Sequence, residues 1–159
     1  MQKDSLRKNI EIRKAKVGDI PGIYKLINTY ASKGELLRRS PLEIYENIRD
    51  YTVVVDGNKV IGVASLHFWW PDMAELRSLV VRKKYRGKGI GRLLVENIIE
   101  EGRAFGVSRI FVLTRIGSFF EKFGFKKVNK DIFPRKIWNE CVNCPKFLKC
   151  DEEAYIKDI

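Results

Sequence analysis

Histidine and cysteine are scarce in this 159-residue sequence and long apolar runs are missing, and each shortage excludes something. The single histidine, His67, lies in ASLHFWW, the setting of an ordinary strand residue rather than of a catalytic imidazole. The three cysteines, Cys141, Cys144 and Cys150, fall within the last 20 residues. An odd number in a chain expected to be cytosolic does not make a disulfide framework. Cys141-x-x-Cys144 opens with metal-like spacing, but a structural zinc takes four ligands and no second Cys-x-x-Cys exists. Asp151, His67 or water would have to complete a site, so reduced thiols packing the tail are expected and no metal is. No apolar stretch reaches the ~18 residues of a membrane helix, and the opening MQKDSLRKN has no apolar h-region. The expectation is therefore no membrane insertion, no secretion and a cytoplasmic location. Repeats, linkers and low-complexity segments are also missing, which leaves about one domain, long enough to bury roughly 70% of its unfolded surface.

Acidic residues are in deficit: 20 against 31 Lys plus Arg, a net charge of +11. The excess favours an anionic partner, whether a nucleotide-containing cofactor, an acidic metabolite or nucleic acid. Nucleic acid is the least favoured, because basic and aromatic residues do not interleave as in single-strand binders.

Taken in order, residues 1–9 read as a flexible polar tail and Ile10–Arg13 as a half-exposed strand. Asp19 sits where an N-cap belongs, with Pro21 in the first turn; Ile20, Ile23, Tyr24, Ile27 and Tyr30 then follow at helical spacing up to a stop at Gly34. Ser40-Pro41-x-Glu43 is a capping-box pattern and predicts a short helix to about Ile48. Tyr51–Val55 and Lys59–Phe68 are β-rich runs joined by Asp56-Gly57-Asn58, a hairpin signal suited to a primed turn. After Trp70-Pro71-Asp72 a third strand, Met73–Arg82, completes an antiparallel meander. Gly89 to about Phe105 is an amphipathic helix with Ile90, Leu93, Leu94, Ile98 and Ile99 on its apolar stripe, and Gly106 ends it. Ser108–Leu113 then makes a βαβ unit, hence a parallel neighbour. Gly117–Phe123 is a short helix, Phe125–Val128 a last strand, and the final 30 residues look less regular.

Between the third strand and its helix lies Arg86-Gly87-Lys88-Gly89-Ile90-Gly91-Arg92. Glycines let backbone amides approach a ligand, and the helix start directs unpaired N–H groups and a positive dipole end at the same place, as a pyrophosphate requires. The alternative is a glycine-rich turn without a ligand. No Gly-Lys-Ser/Thr closes the loop, so it is not a Walker A site.

Arg86-x-x-Gly89-x-Gly91 resembles the acetyl-CoA signature of the GCN5-related N-acetyltransferase (GNAT) superfamily. LRSLVV before the loop, the preceding meander and Phe119-Phe120-Glu121-Lys122-Phe123-Gly124-Phe125 are similar to that family in the same order. GELLRRS, DMAELRSLVV, VLTRIGSFFEKFGF and FPRKIWNECVNC resemble, more narrowly, the acetyltransferase domain of bacterial N-acetylglutamate synthases in a short form without the kinase domain. The resemblance implies an α+β acyl-CoA N-acyltransferase fold, with a central mixed, mostly antiparallel sheet flanked by helices. It implies an N-acetyltransferase domain over residues 10–138, with 139–159 as a cysteine-containing tail packed on it or extending it. Acetyl-CoA would be the co-substrate, bound by Leu79, Val80, Val81 and the loop Arg86, Gly87, Lys88, Gly89, Ile90, Gly91 and Arg92. Leu79 and Val81 would hold the pantetheine arm through backbone groups beside a bulge. A homodimer is implied only by family habit.

Acetyl transfer requires a deprotonated amine, a polarised thioester and a proton for the leaving thiolate. Glu75 and Arg77 share a strand face by alternation unless the bulge changes the parity, which fits either a same-face ion pair or Glu75 as general base, directly or through water. The family's usual tyrosine acid is replaced by Phe120, leaving Ser118, Tyr85 or water to protonate the thiolate. An acidic amino acid such as glutamate carries two carboxylates and calls for fixed arginines. Arg38, Arg77 and Arg115 are the candidates, Arg38 and Arg115 being those to which the resemblance points. The expected activity is amino-acid N-acetylation, with glutamate as acceptor. Glutamine, another small amine or a protein N-terminus stand as alternatives, and a non-catalytic acyl-CoA or nucleic-acid-binding module as a rival of another class.

Overall fold

The computed structural model of the chain describes residues 9–34, 36–133 and 152–159. Seven strands form one mixed sheet: β1 (Ile10–Lys14), β2 (Tyr51–Asp56), β3 (Lys59–Trp70), β4 (Met73–Val81), β5 (Arg109–Thr114), β6 (Lys126–Val128) and β7 (Glu153–Asp158). Their order is β1-β2-β3-β4-β5-β7-β6. The helices are α1 (Ile20–Ala31), α2 (Pro41–Glu46), α3 (Ile90–Phe105) and α4 (Gly117–Glu121). Among the described residues no helix is long and apolar enough to cross a membrane. The described chain divides into two compact units, one formed by residues up to Leu66 with Ser78–Glu100, the other by His67–Arg77 with residues from Glu101 onward.

In the first unit β1, β2 and β3 pair antiparallel, with a register shift between Val54 and Val55. The hairpin turn has positive φ at Gly57 alone, 60°, as a type II′ turn requires. On one face Tyr51, Val53, Val55, Val60 and Val63 pack with Ile20, Ile23, Leu26, Ile27 and Tyr30 of α1 and Ile44 of α2. On the other, Gly62 lets Ile90 and Leu94 of α3 approach; a Cβ there would stand 3.2 Å from both. Burial on both faces is why β2 reads YTVVV rather than alternating.

Two helix details depart from expectation. Asp19 occupies the N-cap of α1 but makes no cap bond. Its carboxylate instead takes the Arg13 guanidinium at 2.6 Å and the Lys16 amide at 2.7 Å, pinning the end of β1. Ser40 does cap α2, accepting from the Glu43 amide at 3.1 Å, but the α-helix ends at Glu46 and passes into a 3-10 turn, Ile48–Asp50. The apolar stripes are also narrower than the spacing suggested: Tyr24 is 42% exposed and Leu93 38%.

In the second unit Met73–Glu75 run parallel to Arg109–Phe111, as the βαβ reading predicts. Within the stretch expected to be less regular, Glu153–Asp158 form β7, which lies between β5 and β6 and pairs antiparallel with both. Met73, Phe111, Phe133 and Ala154 form the core here, and Phe111 stacks on Phe133 with ring centroids 4.3 Å apart. Gly117, the first residue of α4, is buried against the Tyr155 ring.

Candidate active site

In the first unit the glycine loop is held from three sides. A 3-10 turn, Lys83–Tyr85, leads from β4 into it. The buried Tyr30 hydroxyl accepts the Lys83 amide at 2.6 Å, and the Tyr30 ring lies under the Arg86 guanidinium at 4.8 Å. Arg86 also donates from Nε to the Val81 carbonyl at 2.9 Å, tying the loop back to the strand end. Tyr85, buried as well, donates its hydroxyl to Asp56 Oδ2 at 2.7 Å, and this carboxylate together with burial raises the phenol above its ordinary value. That proton is committed to Asp56, so Tyr85 serves as a loop anchor.

Past these anchors the chain opens. Gly87 and Gly89 have φ of 77° and 84°, a region that L side chains avoid, and a Cβ at either would meet nothing within 4 Å. Arg86, Gly87, Lys88 and Gly89 are exposed, whereas Ile90 is buried and Gly91 half-buried. Gly89 starts α3 by accepting the Leu93 amide at 3.0 Å, and the first amides of a helix have no partner within it. Backbone donors, a helix start and cations thus meet in open space, which suits a diphosphate. Arg92, one turn on, pairs along the helix with Glu96 at 3.4 Å.

Before the loop, Val80 is buried in the first-unit core while Leu79 and Val81 are half-buried. Ser78 has φ of 56°, unusual for any residue but glycine or asparagine and worth a few kcal/mol of strain. Ser78 stands within β4, directly before Leu79 and just after Glu75 and Arg77.

Arg38 is exposed, and its neighbour Arg39 is the buried one, 9% exposed, with Glu43 at 3.9 Å. The link carrying both is clamped by Asn28 of α1, whose Nδ2 donates to the Arg39 carbonyl at 2.9 Å and whose Oδ1 accepts the Arg39 amide at 3.3 Å.

In the second unit Glu75 is 2% exposed, and Trp69 donates its indole N–H to Glu75 Oε1 at 3.0 Å. Arg77 is half-buried on the same strand. Arg115 and Ser118 are exposed, on the turn after β5 and in the first turn of α4. Phe120, 2% exposed, packs edge-on against Phe119 and Phe125, an environment with no demand for a hydroxyl. His67 is half-buried, with its ring edge-on to Trp69 at 4.9 Å. Asp151 and the three cysteines lie outside the described residues, among which no group of three or more potential metal ligands assembles.

Tyr30, Asn28 and Trp69 carry no site signal in the sequence. Tyr30 and Asn28 read as helix positions, and Trp69 as one of two tryptophans closing a strand.

A strand carrying one strained residue, followed by an anchored glycine loop at a helix start within a mixed sheet flanked by helices, defines the acyl-CoA N-acyltransferase fold. The chain belongs to the acetyltransferase (GNAT) family, whose model matches residues 20–125. It is 42% identical over 148 residues to an N-acetyltransferase of Chlorobaculum tepidum, a match covering 93% of this chain and 96% of that one. It is 31% identical over 132 residues to an amino-acid acetyltransferase of Mycobacterium tuberculosis, with 81% and 75% covered. Among solved structures it resembles N-acetylglutamate synthase from Neisseria gonorrhoeae complexed with coenzyme A and N-acetyl-glutamate, with a TM-score of 0.84 and 26% identity over 94% of this chain and 35% of that one. The protein is an N-acetyltransferase that uses acetyl-CoA.

Proposed function

We propose that the acceptor is an amino acid, L-glutamate, and that the reaction forms N-acetylglutamate at the first step of arginine biosynthesis. The observation that supports direct transfer to an amine is the buried Glu75 carboxylate, 2% exposed and fixed by an indole N–H, on the strand that leads into the cofactor loop. The indole holds the carboxylate in one orientation, as a general base requires. The relative named amino-acid acetyltransferase and the gonococcal structure holding N-acetyl-glutamate support the choice of acceptor.

The amine nitrogen attacks the thioester carbonyl carbon as its proton passes to Glu75, directly or through one water. The tetrahedral intermediate collapses with cleavage of the C–S bond, and the thiolate takes a proton from Ser118 or water. No nucleophile of the enzyme is acylated. The loop from Arg86 to Arg92, with the backbone of Leu79 to Val81, holds the cofactor; Arg38, Arg77 and Arg115 pair with the two acceptor carboxylates.

Coenzyme A release with glutamate, glutamine, aspartate and no acceptor tests the reading. Glutamate should give the highest kcat/KM, and Arg115→Ala should raise the glutamate KM far more than that of acetyl-CoA. Glutamine turning over best would move the acceptor assignment, and no release above the blank with any amine would remove it.

A further inference from the structure

A buried carboxylate works as a base only if its lone pairs face the proton it must take, and on a strand the two terminal rotations of a glutamate leave that open. Glu75 is the third residue of β4, and Trp69 the penultimate residue of β3, with only Pro71 and Asp72 between the two strands. Trp69 Nε1 stands 3.0 Å from Glu75 Oε1. The indole is itself confined: it packs on the core of Met73, Phe111, Phe133 and Ala154, takes the edge of His67 at 4.9 Å and tilts against Trp70 at 6.4 Å. A rigid ring with two side-chain torsions and one N–H therefore pins one carboxylate oxygen.

We propose that Trp69 is a positioning residue for catalysis: its N–H occupies Oε1 and so orients Oε2 to take the proton of the acceptor amine or its bridging water. The idea rests on Glu75 being the base. It assigns Trp69 no contact with either substrate and no proton of its own, since an indole N–H does not ionise in this role. Its effect should fall on kcat and leave both KM values alone.

Trp69→Phe keeps a ring in the apolar cluster and removes the donor together with the volume of the second ring, a packing loss that the melting curve reports. Steady-state kinetics should show kcat lowered about tenfold, the size expected for losing a hydrogen bond to a charged group, with the KM for acetyl-CoA and for the acceptor within twofold of the parent. The same change made in Glu75→Gln should lower kcat no further, because the group it orients is gone. Equal losses in both backgrounds, a rise in either KM that matches the fall in kcat, or an unchanged kcat would each overturn the positioning role while leaving Glu75 as base. A Glu75→Gln enzyme with the parent kcat would instead remove the base assignment, and the positioning role with it. If Glu75→Gln has no measurable turnover, the base assignment stands and the kcat-against-KM split in Trp69→Phe decides. Thermal denaturation of each variant separates a folding loss from these outcomes.

Discussion

Tyr30 offers the most direct test of whether the cofactor loop is pre-formed. Its hydroxyl, on α1, accepts the Lys83 amide across 53 residues of sequence, while its ring supports the Arg86 guanidinium. Tyr30→Phe deletes one oxygen and keeps the ring. The Lys83 amide then loses its acceptor, a change worth about 1 kcal/mol at the lower end of the range, because Lys83 is exposed and water can replace the tyrosine. For a chain of this size that lowers the Tm by ~2–4 °C. If the bond holds the loop in its binding conformation, the same free energy appears as about fivefold weaker coenzyme A binding. Tyr30→Leu should lose more on both counts, since it also removes the surface under Arg86 and opens a cavity. Titration calorimetry with coenzyme A, read beside the melting curve, separates the two effects. A Tyr30→Phe variant with the expected drop in Tm but unchanged affinity would make the hydroxyl a fold contact only, with no part in pre-forming the loop.

Three further outcomes follow from side-chain environments. Thr52 is fully buried, and its hydroxyl has no hydrogen-bond partner among the described residues, so Thr52→Val should raise stability by up to about 1 kcal/mol, visible as a higher Tm; a lower one would mean the hydroxyl is satisfied. Gly117→Ala drives a methyl into the Tyr155 ring and should cost ~1–3 kcal/mol or more, and the pair Gly117→Ala with Tyr155→Leu should lose less than the two single changes added together. The Arg13 hydrogen bond, helped by the Lys16 amide, holds the Asp19 carboxyl below its ordinary value of 3.8. A group whose value is depressed on folding contributes its full stability above the unfolded value and loses it as the pH falls through the folded one. Resistance to urea should therefore fall below about pH 4 partly through Asp19, and Asp19→Asn should flatten that limb. An acid limb unchanged in the variant would show that the pair contributes nothing.

The legible parts of this protein were the local ones. The Ser40-Pro41-x-Glu43 cap, the Gly57 turn and the glycine loop each depend on backbone geometry set within a few residues, and those residue types occur because few others allow it. The arginines were legible only as candidates. Arg38 and Arg39 are adjacent in GELLRRS, yet one is exposed and the other buried, on a link whose backbone Asn28 holds at Arg39. Leu93 and Tyr24 fit the helical spacing and are nonetheless more than a third exposed, because a stripe's width is decided by what packs on it.

By itself the sequence determined the order of elements, the parallel crossover, the glycine loop and the membership of an acetyl-CoA-using family, all of which reside in short-range spacing. Only the tertiary structure decided that Glu153–Asp158 runs between β5 and β6, that Tyr85 spends its proton on Asp56 across 29 residues, that Tyr30 carries the loop, and that Trp69 fixes Glu75. Strand order and such hydrogen bonds form between segments whose local patterns are satisfied in many arrangements. The choice among those arrangements belongs to the packing of the whole chain.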